Sequence, residues 1–249
     1  MKAIIVAGGM GTRLKPLTDT SPKCLTEVNG KTILENMLFS LSNSEVDMVY
    51  VVTGYHGSKI KEKFGSGVNG IPISYVENPI YTRTNTTYPL WLVLKDLSLN
   101  ENEILLTLEG DVFLDRDLVL DFIRHPSIDS TVVELYRPYL DGSFVDIDLK
   151  SGLVTDWTHK SFRPENYVVE DKYKTVNIHK FSRKFVEGFL FPTLEEHVKA
   201  NGGTKPMEYV LQDIIKNKKG RINTFLANNY RWIEIDDLGD LRMAESMFK

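Results

Sequence analysis

The sequence is poor in cysteine, in clustered histidines and in long runs of one residue class. Its single cysteine, Cys24, has no partner for an internal disulfide or a multi-thiolate metal site. The five histidines are scattered without the spacing of zinc ligands, at positions 56, 125, 159, 179 and 197. An internal disulfide is therefore excluded, a zinc centre has little support, and a reducing cytoplasm is the expected location.

No apolar run approaches the roughly 20 residues that a membrane span needs. The amino terminus enters a strand pattern at once (KAIIVA, residues 2–7), so we expect neither a signal peptide nor a membrane partner. The net charge is −4, and the one small basic cluster, KNKKGR at 216–221, follows a helical pattern whose C-terminal dipole it would complement. We therefore expect no nucleic-acid partner.

The composition is that of an ordinary globular protein: of the 249 residues, 42% are hydrophobic and 26% are charged. A chain of this length can form one substantial core. We predict a single domain over residues 1–249, built from two parts that join near residue 130.

Strand and helix patterns alternate in the first part. Short β-branched runs at 2–7, 47–53, 73–76 and 104–108 predict buried strands, and amphipathic or capped stretches at 32–41, 58–64 and 89–97 predict helices. This alternation predicts an α/β fold, a Rossmann-like mixed, mostly parallel sheet with helices on both faces. From residue 131 the strand-like stretches are separated by turn signals and predict an added antiparallel region, followed by helices at 183–200, at 207–216 and from 238.

A glycine-rich loop follows the first strand, in the segment AGGMGTRLKPLTDTSPK at 7–23. Glycines let backbone N–H groups approach phosphate oxygens, although alone they are equally typical of a tight turn. The loop is neither a Walker loop nor a complete dinucleotide fingerprint. Arg13 and Lys23 add two cations to it, which suits a triphosphate. We assign nucleotide binding to Ala7, Gly8, Gly9, Gly11, Thr12, Arg13 and Lys23.

The segments GGMGTRLKPLT and SPKCLTEVNGKTIL resemble the signature of the sugar-phosphate nucleotidyltransferase superfamily, GxGxRLxPLT followed by PKxLxxVxGKPLL. The resemblance extends to Gly110 and Asp111, and to WIEID at 232–236 before a terminal helix. It implies the nucleotide-diphospho-sugar transferase type of fold, with a nucleotide-binding part at about 1–130 and an acceptor-binding part at about 131–249. It also adds Gly110 to the nucleotide-binding residues.

The resemblance implies a Mg²⁺ cofactor held by Asp111 and Asp236, with Glu234 supporting its water shell, and catalysis by Arg13, Lys23 and Asp111. Alternatively, Asp111 is a turn residue and Asp236 a helix cap, but Asp237 is the better cap candidate. The implied reaction is in-line attack by an acceptor oxygen on the α-phosphorus, which releases pyrophosphate.

Two segments depart from the hexose-1-phosphate members of the superfamily. Residues 78–92, NPIYTRTNTTYPLWL, replace a PxGxA-like segment, and residues 168–181, VVEDKYKTVNIHKF, replace an EKP-like one. The first resembles the NN-F-Y-SL region of phosphocholine cytidylyltransferases, with Asn85 as a nucleotide contact and Tyr88 as an acceptor contact. The resemblance is therefore to phosphocholine and 2-aminoethylphosphonate cytidylyltransferases.

Aromatic and acidic side chains of the second part could bind a cationic head group, although each is also explained by core packing or by a solvated loop. The acceptor-binding candidates are Tyr88, Phe144, Asp146, Trp157, Glu170, Lys172 and Lys174. One of the two lysines takes the place of the family lysine that binds the acceptor phosphate, and the sequence leaves open which.

The leading hypothesis is a Mg²⁺-dependent cytidylyltransferase that uses CTP and a small phospho- or phosphono-amine, 2-aminoethylphosphonate or phosphocholine. The enzymatic alternative uses UTP, dTTP or GTP with a sugar 1-phosphate. A third hypothesis is a non-catalytic nucleotide-sensing subunit of the same fold. The sequence leaves open a homodimer and an origin as one domain of a longer, aminotransferase-fused protein.

Overall fold

The computed structural model describes residues 1–249 as fourteen strands and eight α-helices. The strands are β1 (Lys2–Val6), β2 (Glu27–Val28), β3 (Lys31–Thr32), β4 (Met48–Thr53), β5 (Gly67–Val68), β6 (Ile71–Glu77), β7 (Ile104–Glu109), β8 (Val112–Leu114), β9 (Ser130–Leu135), β10 (Phe144–Asp148), β11 (Leu153–Thr158), β12 (Tyr173–Ser182), β13 (Asn223–Leu226) and β14 (Trp232–Glu234). The helices are α1 (Ile33–Leu41), α2 (Gly57–Phe64), α3 (Thr87–Leu94), α4 (Arg116–Arg124), α5 (Arg183–Phe185), α6 (Phe191–Asn201), α7 (Met207–Lys216) and α8 (Leu238–Met247).

The chain divides into two compact units. The first unit comprises Met1–Arg83, Leu106–Arg124 and Tyr230–Lys249, and the second comprises Thr84–Leu105 and His125–Asn229. None of the helices combines the length and the apolar character that crossing a membrane requires.

The first unit carries a sheet with the strand order β7-β1-β4-β6-β5. The strands β1, β4 and β6 are parallel, and the short β5 pairs with β6 in the antiparallel direction. Three consecutive residues of β1, Ala3, Ile4 and Ile5, are fully buried. Such a strand has no polar face because both sides of a parallel sheet are covered. The predicted α/β fold class is confirmed.

Helix α1 begins where the sequence predicts it. The hydroxyl of Thr32 accepts a hydrogen bond from the backbone N–H of Glu35 at 3.2 Å, which caps the helix, and the apolar face of α1 is buried. On the same helix, the buried side chain of Asn36 donates to the carbonyl of Leu114 and accepts from its N–H, both at 3.1 Å. These two bonds fix β8 against α1.

The second unit carries strands in the order β10-β11-β13-β9-β12. The pairs β10–β11, β11–β13 and β9–β12 are antiparallel, as predicted for this region, whereas β13 runs parallel to β9. Helix α7 packs on β11, and α3 packs on α6. The helix predicted at 183–200 is interrupted, because a turn of π-helix over Val186–Leu190 separates α5 from α6.

Among the antiparallel pairs of the first unit that were not predicted, one lies at the candidate site. Strand β8 pairs with β14, and Glu234 lies opposite Val112 in the register. Strands of three residues are too short to show a periodic pattern. This pair brings the C-terminal part of the chain to the end of β7, where the candidate site lies.

Candidate functional site

The site in the first unit is built around the end of β7. The backbone N–H of Gly110 donates to the carbonyl of Val6 in β1 at 2.8 Å, and a Cβ on Gly110 would lie 2.5 Å from that oxygen. Only glycine permits this approach of two strand ends. Asp111, the next residue, is thereby placed beside the glycine loop that follows β1.

The glycine loop turns back on itself and carries Lys23 with it. Gly11 has a φ of 62°, and its carbonyl accepts a hydrogen bond from the hydroxyl of Thr18 at 2.7 Å. The carbonyl of Gly9 accepts from the N–H of Lys23 at 3.3 Å. The loop therefore holds the first atoms of the Lys23 side chain, which is directed toward the acidic residues.

Four residues that the sequence assigns to catalysis or metal binding lie together. The ammonium of Lys23 donates to Oδ2 of Asp111 at 2.8 Å and to Oδ1 of Asp236 at 2.6 Å. Arg13 contacts the other carboxylate oxygen of Asp236 at 2.8 Å. These two cations and two carboxylates form the charged centre of the site.

Burial alone would lower the pKa of Lys23, but the charges and hydrogen bonds of Asp111 and Asp236 outweigh it and raise this pKa well above its usual range. Burial raises the pKa of Asp236, and the neighbouring Lys23 and Arg13 bring it below its ordinary value. Lys23 is therefore a permanent cation, and Asp236 a permanent anion, near neutral pH.

A group of three acidic residues overlaps the charged centre, because it shares Asp111 with it. Carboxylate oxygens of Glu109, Asp111 and Glu234 lie within 4.8 Å of one another. Oδ1 of Asp111 is buried and has no hydrogen-bond partner in the protein. An unpaired buried carboxylate oxygen within an all-oxygen donor set fits a hard divalent cation such as Mg²⁺. The group could hold such an ion.

The resemblance did not identify Glu109. The signal was available, because Glu109 lies at the end of a buried strand, two residues before Asp111. The structure places Asp236 in ion pairs with Lys23 and Arg13.

The other nucleotide-binding candidates of the first unit line the same loop. Ala7 is buried, and its N–H donates to the carbonyl of Val52 at 2.9 Å. Gly8 accepts from the N–H of Tyr55 at 3.3 Å. Thr12 begins a single turn of 3-10 helix that ends at Leu14. These contacts give the loop a defined structure.

Asn85 and Tyr88 lie in the second unit. The N–H of Asn85 donates to the carbonyl of Gly203 at 3.0 Å. Gly203 also approaches Tyr88 so closely that a Cβ there would lie 2.6 Å from the Cβ of Tyr88. The segment predicted from the phosphocholine-type resemblance is thus bound to the loop that precedes α7.

The remaining acceptor-binding candidates differ in exposure. Phe144, Trp157 and Lys174 are almost completely buried, and the ammonium of Lys174 donates to the carbonyl of Thr175 at 2.5 Å. The partly exposed Lys172 contacts Asp146 at 2.6 Å.

Glu170 is exposed, and its carboxylate accepts a hydrogen bond from the N–H of Val169. Of the two lysines, only Lys172 presents its charge near the surface.

The sequence matches the family model of the nucleotidyl transferases over residues 2–136. The chain belongs to this family and is a nucleotidyltransferase. The family that the sequence motifs predicted is confirmed.

Several curated relatives align with the whole chain, two of them as follows. It is 28% identical over 250 residues to CMP-5'-(3-aminopropyl)phosphonate synthase of Streptomyces rubellomurinus, and 26% identical over 264 residues to choline-phosphate cytidylyltransferase of Streptococcus pneumoniae. The chain spans 39% of the first relative's length and 99% of the second's.

Two solved structures share the fold over the whole chain. One is the CTP:phosphocholine cytidylyltransferase of Streptococcus pneumoniae, with a TM-score of 0.75, 22% identity and 99% of its chain covered. The other is the inositol-1-phosphate CTP transferase of T. maritima, with a TM-score of 0.75, 20% identity and 95% of its chain covered. These structures confirm the predicted type of fold.

Proposed function

We propose that the protein is a Mg²⁺-dependent cytidylyltransferase that transfers CMP from CTP to a small phospho- or phosphono-amine and releases pyrophosphate. The observation that carries the proposal is the contact of Lys23 with Asp111 beside the glycine loop, since it combines a cation for a phosphate with a carboxylate for a metal. The names of the aminopropylphosphonate synthase and of the choline-phosphate cytidylyltransferase support the choice of CMP as the transferred group and of an amine acceptor.

The glycine loop and its two cations bind the triphosphate in this proposal. The backbone N–H groups of Gly8, Gly9 and Gly11 contact phosphate oxygens, and Arg13 contacts the outer phosphates through its planar fork of donors. Lys23 stays charged because its pKa is raised. Its ammonium therefore stabilises the charge that develops on the α-phosphate.

Asp111 holds the metal in this proposal, together with Glu109 and Glu234 of the acidic group. Asp236, which shares Lys23 with Asp111, is the fourth proposed ligand. When bound, Mg²⁺ neutralises charge on the phosphates and on the departing pyrophosphate. Lys23 and Arg13 hold Asp236 in place and keep it ionised. The two cations thus serve both the triphosphate and the position of a metal ligand.

The reaction needs no side chain as nucleophile or base. An oxygen of the acceptor's phosphate or phosphonate, already ionised at neutral pH, forms the new bond to the α-phosphorus. The bond from that phosphorus to the oxygen of the β-phosphate breaks, and pyrophosphate leaves. Positioning and charge neutralisation by the chain's residues account for the rate.

The acceptor is assigned to the second unit. Tyr88, Asp146, Glu170 and Lys172 are the candidates with accessible polar or aromatic groups. Lys172 is the lysine that we assign to the acceptor's phosphorus oxygens. Its pKa is raised, chiefly by the hydrogen bond to Asp146, so its charge is maintained. Phe144, Trp157 and Lys174 support this surface from inside the unit.

The test is pyrophosphate release with CTP, UTP, dTTP and GTP, each combined with 2-aminoethylphosphonate, phosphocholine and a hexose 1-phosphate. We expect turnover with CTP and an amine acceptor only. Turnover with a hexose 1-phosphate alone would favour the sugar-nucleotide alternative and refute the proposal. No turnover with any pair would favour a nucleotide-sensing subunit.

A separate variant tests the assignment of Asp111 as a metal ligand. Asp111→Asn keeps the size of the side chain but removes its charge, and we expect kcat to fall on the order of 100-fold or more. Asp121→Asn is the matched control, because Asp121 is exposed in the same unit and accepts a hydrogen bond from Tyr230. Full turnover of Asp111→Asn would show that this carboxylate holds no essential metal.

A further inference from the structure

The second unit contains a buried carboxylate with an unused oxygen. Glu208, in the first turn of α7, is 9% exposed. Its Oε1 accepts a hydrogen bond from the hydroxyl of Ser143 at 3.3 Å, whereas its Oε2 is buried without a hydrogen-bond partner in the protein. Because desolvating a carboxylate is costly, such an oxygen requires an explanation.

Glu208 lies where three segments that contain acceptor-binding candidates converge. Met207, the preceding residue, donates its N–H to the hydroxyl of Thr86 at 2.8 Å, which ties α7 to the segment containing Asn85 and Tyr88. Ser143 directly precedes β10 and Phe144. Helix α7 packs on β11, the strand of Trp157. The carboxylate therefore belongs to the predicted acceptor-binding region.

No side chain of this region supplies a counter-charge to Glu208. The ammonium of Lys174 donates to the carbonyl of Thr175, and the guanidinium of Arg163 contacts Asp141 and the carbonyl of Gly142. His159 is near enough to interact with Glu208, but burial lowers its pKa below the usual range. The imidazole is therefore neutral near pH 7.

The unpaired Oε2 of Glu208 would distinguish a primary ammonium from a quaternary one. A primary ammonium carries three N–H donors and can satisfy both the charge and the free acceptor of Glu208. A trimethylammonium carries no donor, so Oε2 would remain without a hydrogen bond. The geometry of Glu208 thus favours a primary amine.

We propose that Glu208 binds the ammonium of the acceptor and that the acceptor is a primary rather than a quaternary amine. The proposal rests on the proposed function for the phosphate or phosphonate end of the acceptor. It makes Glu208 the residue that determines specificity at the amine end.

Calorimetric binding tests this proposal without turnover, in the presence of Mg²⁺ and a non-hydrolysable CTP analogue. The probes are 2-aminoethylphosphonate, its neutral isostere propylphosphonate, and its trimethylammonium form. We expect the wild type to bind the primary amine about 10- to 100-fold more tightly than the other two. In Glu208→Gln this preference should disappear, with the affinity for propylphosphonate unchanged.

Two further variants exclude a merely structural effect. Glu208→Asp keeps the charge and should retain a preference for the primary amine. Glu196→Gln changes an exposed glutamate of α6 that pairs with Lys218 and should bind all probes as the wild type does. Equal weakening of all probes in Glu208→Gln would overturn the proposal, as would a wild type that prefers neither amine or binds no probe. Failure of CTP turnover, in contrast, would overturn only the proposed function.

Discussion

At the scale of single residues, the glycine loop is shaped by the atoms that surround Gly11. Its φ of 62° is costly for any residue with a side chain. A Cβ at this position would in addition lie 2.9 Å from Cβ of Lys23 and 3.0 Å from the methyl group of Thr18. Gly11 is therefore required both by the backbone and by the side chain of Lys23.

Two glycine variants separate the effect of backbone strain from the effect of the clash with Lys23. Gly30 also has a positive φ, 82°, but a Cβ there would meet nothing within 4 Å. We expect Gly30→Ala to lower the free energy of unfolding by about 1 kcal/mol, and Gly11→Ala by about 2–3 kcal/mol, because the second adds a clash to the strain. Urea unfolding measures both, and equal losses would show that Lys23 does not constrain the loop.

At the scale of elements, the start of α8 fixes the position of Asp236. The carboxylate of Asp237 accepts from the N–H groups of Gly239 and Asp240, at 2.7 and 3.1 Å. In return, Oδ2 of Asp240 accepts from the N–H groups of Asp237 and Asp236, at 3.1 and 2.9 Å. The predicted cap at Asp237 is confirmed, and it orders the backbone of the residue that pairs with Lys23.

Removal of this cap should weaken α8. Asp237→Ala leaves two N–H groups of the first turn without their acceptor, and we expect a loss of about 1 kcal/mol in the free energy of unfolding. Arg242→Ala is the control, because Arg242 is exposed on the same helix. Thermal or urea unfolding compares the two, and a stability of Asp237→Ala equal to that of the control would contradict the role of the cap.

At the scale of the whole molecule, a buried histidine couples stability to pH. His179 lies inside the second unit, with Nδ1 at 2.9 Å from the hydroxyl of Thr131. Burial, aided by the charge of Lys174, lowers the pKa of His179 to about 3. The unfolded chain binds a proton near pH 6.5, whereas the folded chain does not bind it until about pH 3. Stability from this group is complete above pH 6.5 and is lost as the pH falls toward 3.

The pH dependence of unfolding should therefore change in His179→Gln. Between pH 7 and pH 5 the unfolded wild-type chain takes up a proton at His179 and the folded chain does not. The free energy of unfolding of the wild type should therefore fall by about 2 kcal/mol from this group, and the variant lacks this contribution. Urea unfolding at the two pH values measures the difference. His56→Gln, at an exposed histidine, should lose as much as the wild type. An equal loss in His179→Gln would refute the assignment.

The sequence by itself determined the features that depend on near neighbours in the chain. The buried strand β1, the capped starts of α1 and α8, and the α/β alternation follow from patterns that repeat within a few residues. The glycine loop with Arg13 and Lys23 is equally local, which is why the family could be predicted from residues 7–34.

Only the tertiary structure decided which charges meet. Lys23 and Asp236 are separated by 213 positions, and their contact depends on the pairing of β8 with β14, two strands too short to predict. The inclusion of Glu109 in the acidic group and the unpaired oxygen of Glu208 also became visible only in the folded chain. The physical reason is that burial and the absence of a partner depend on all the segments around a side chain, whereas a periodic pattern depends on one.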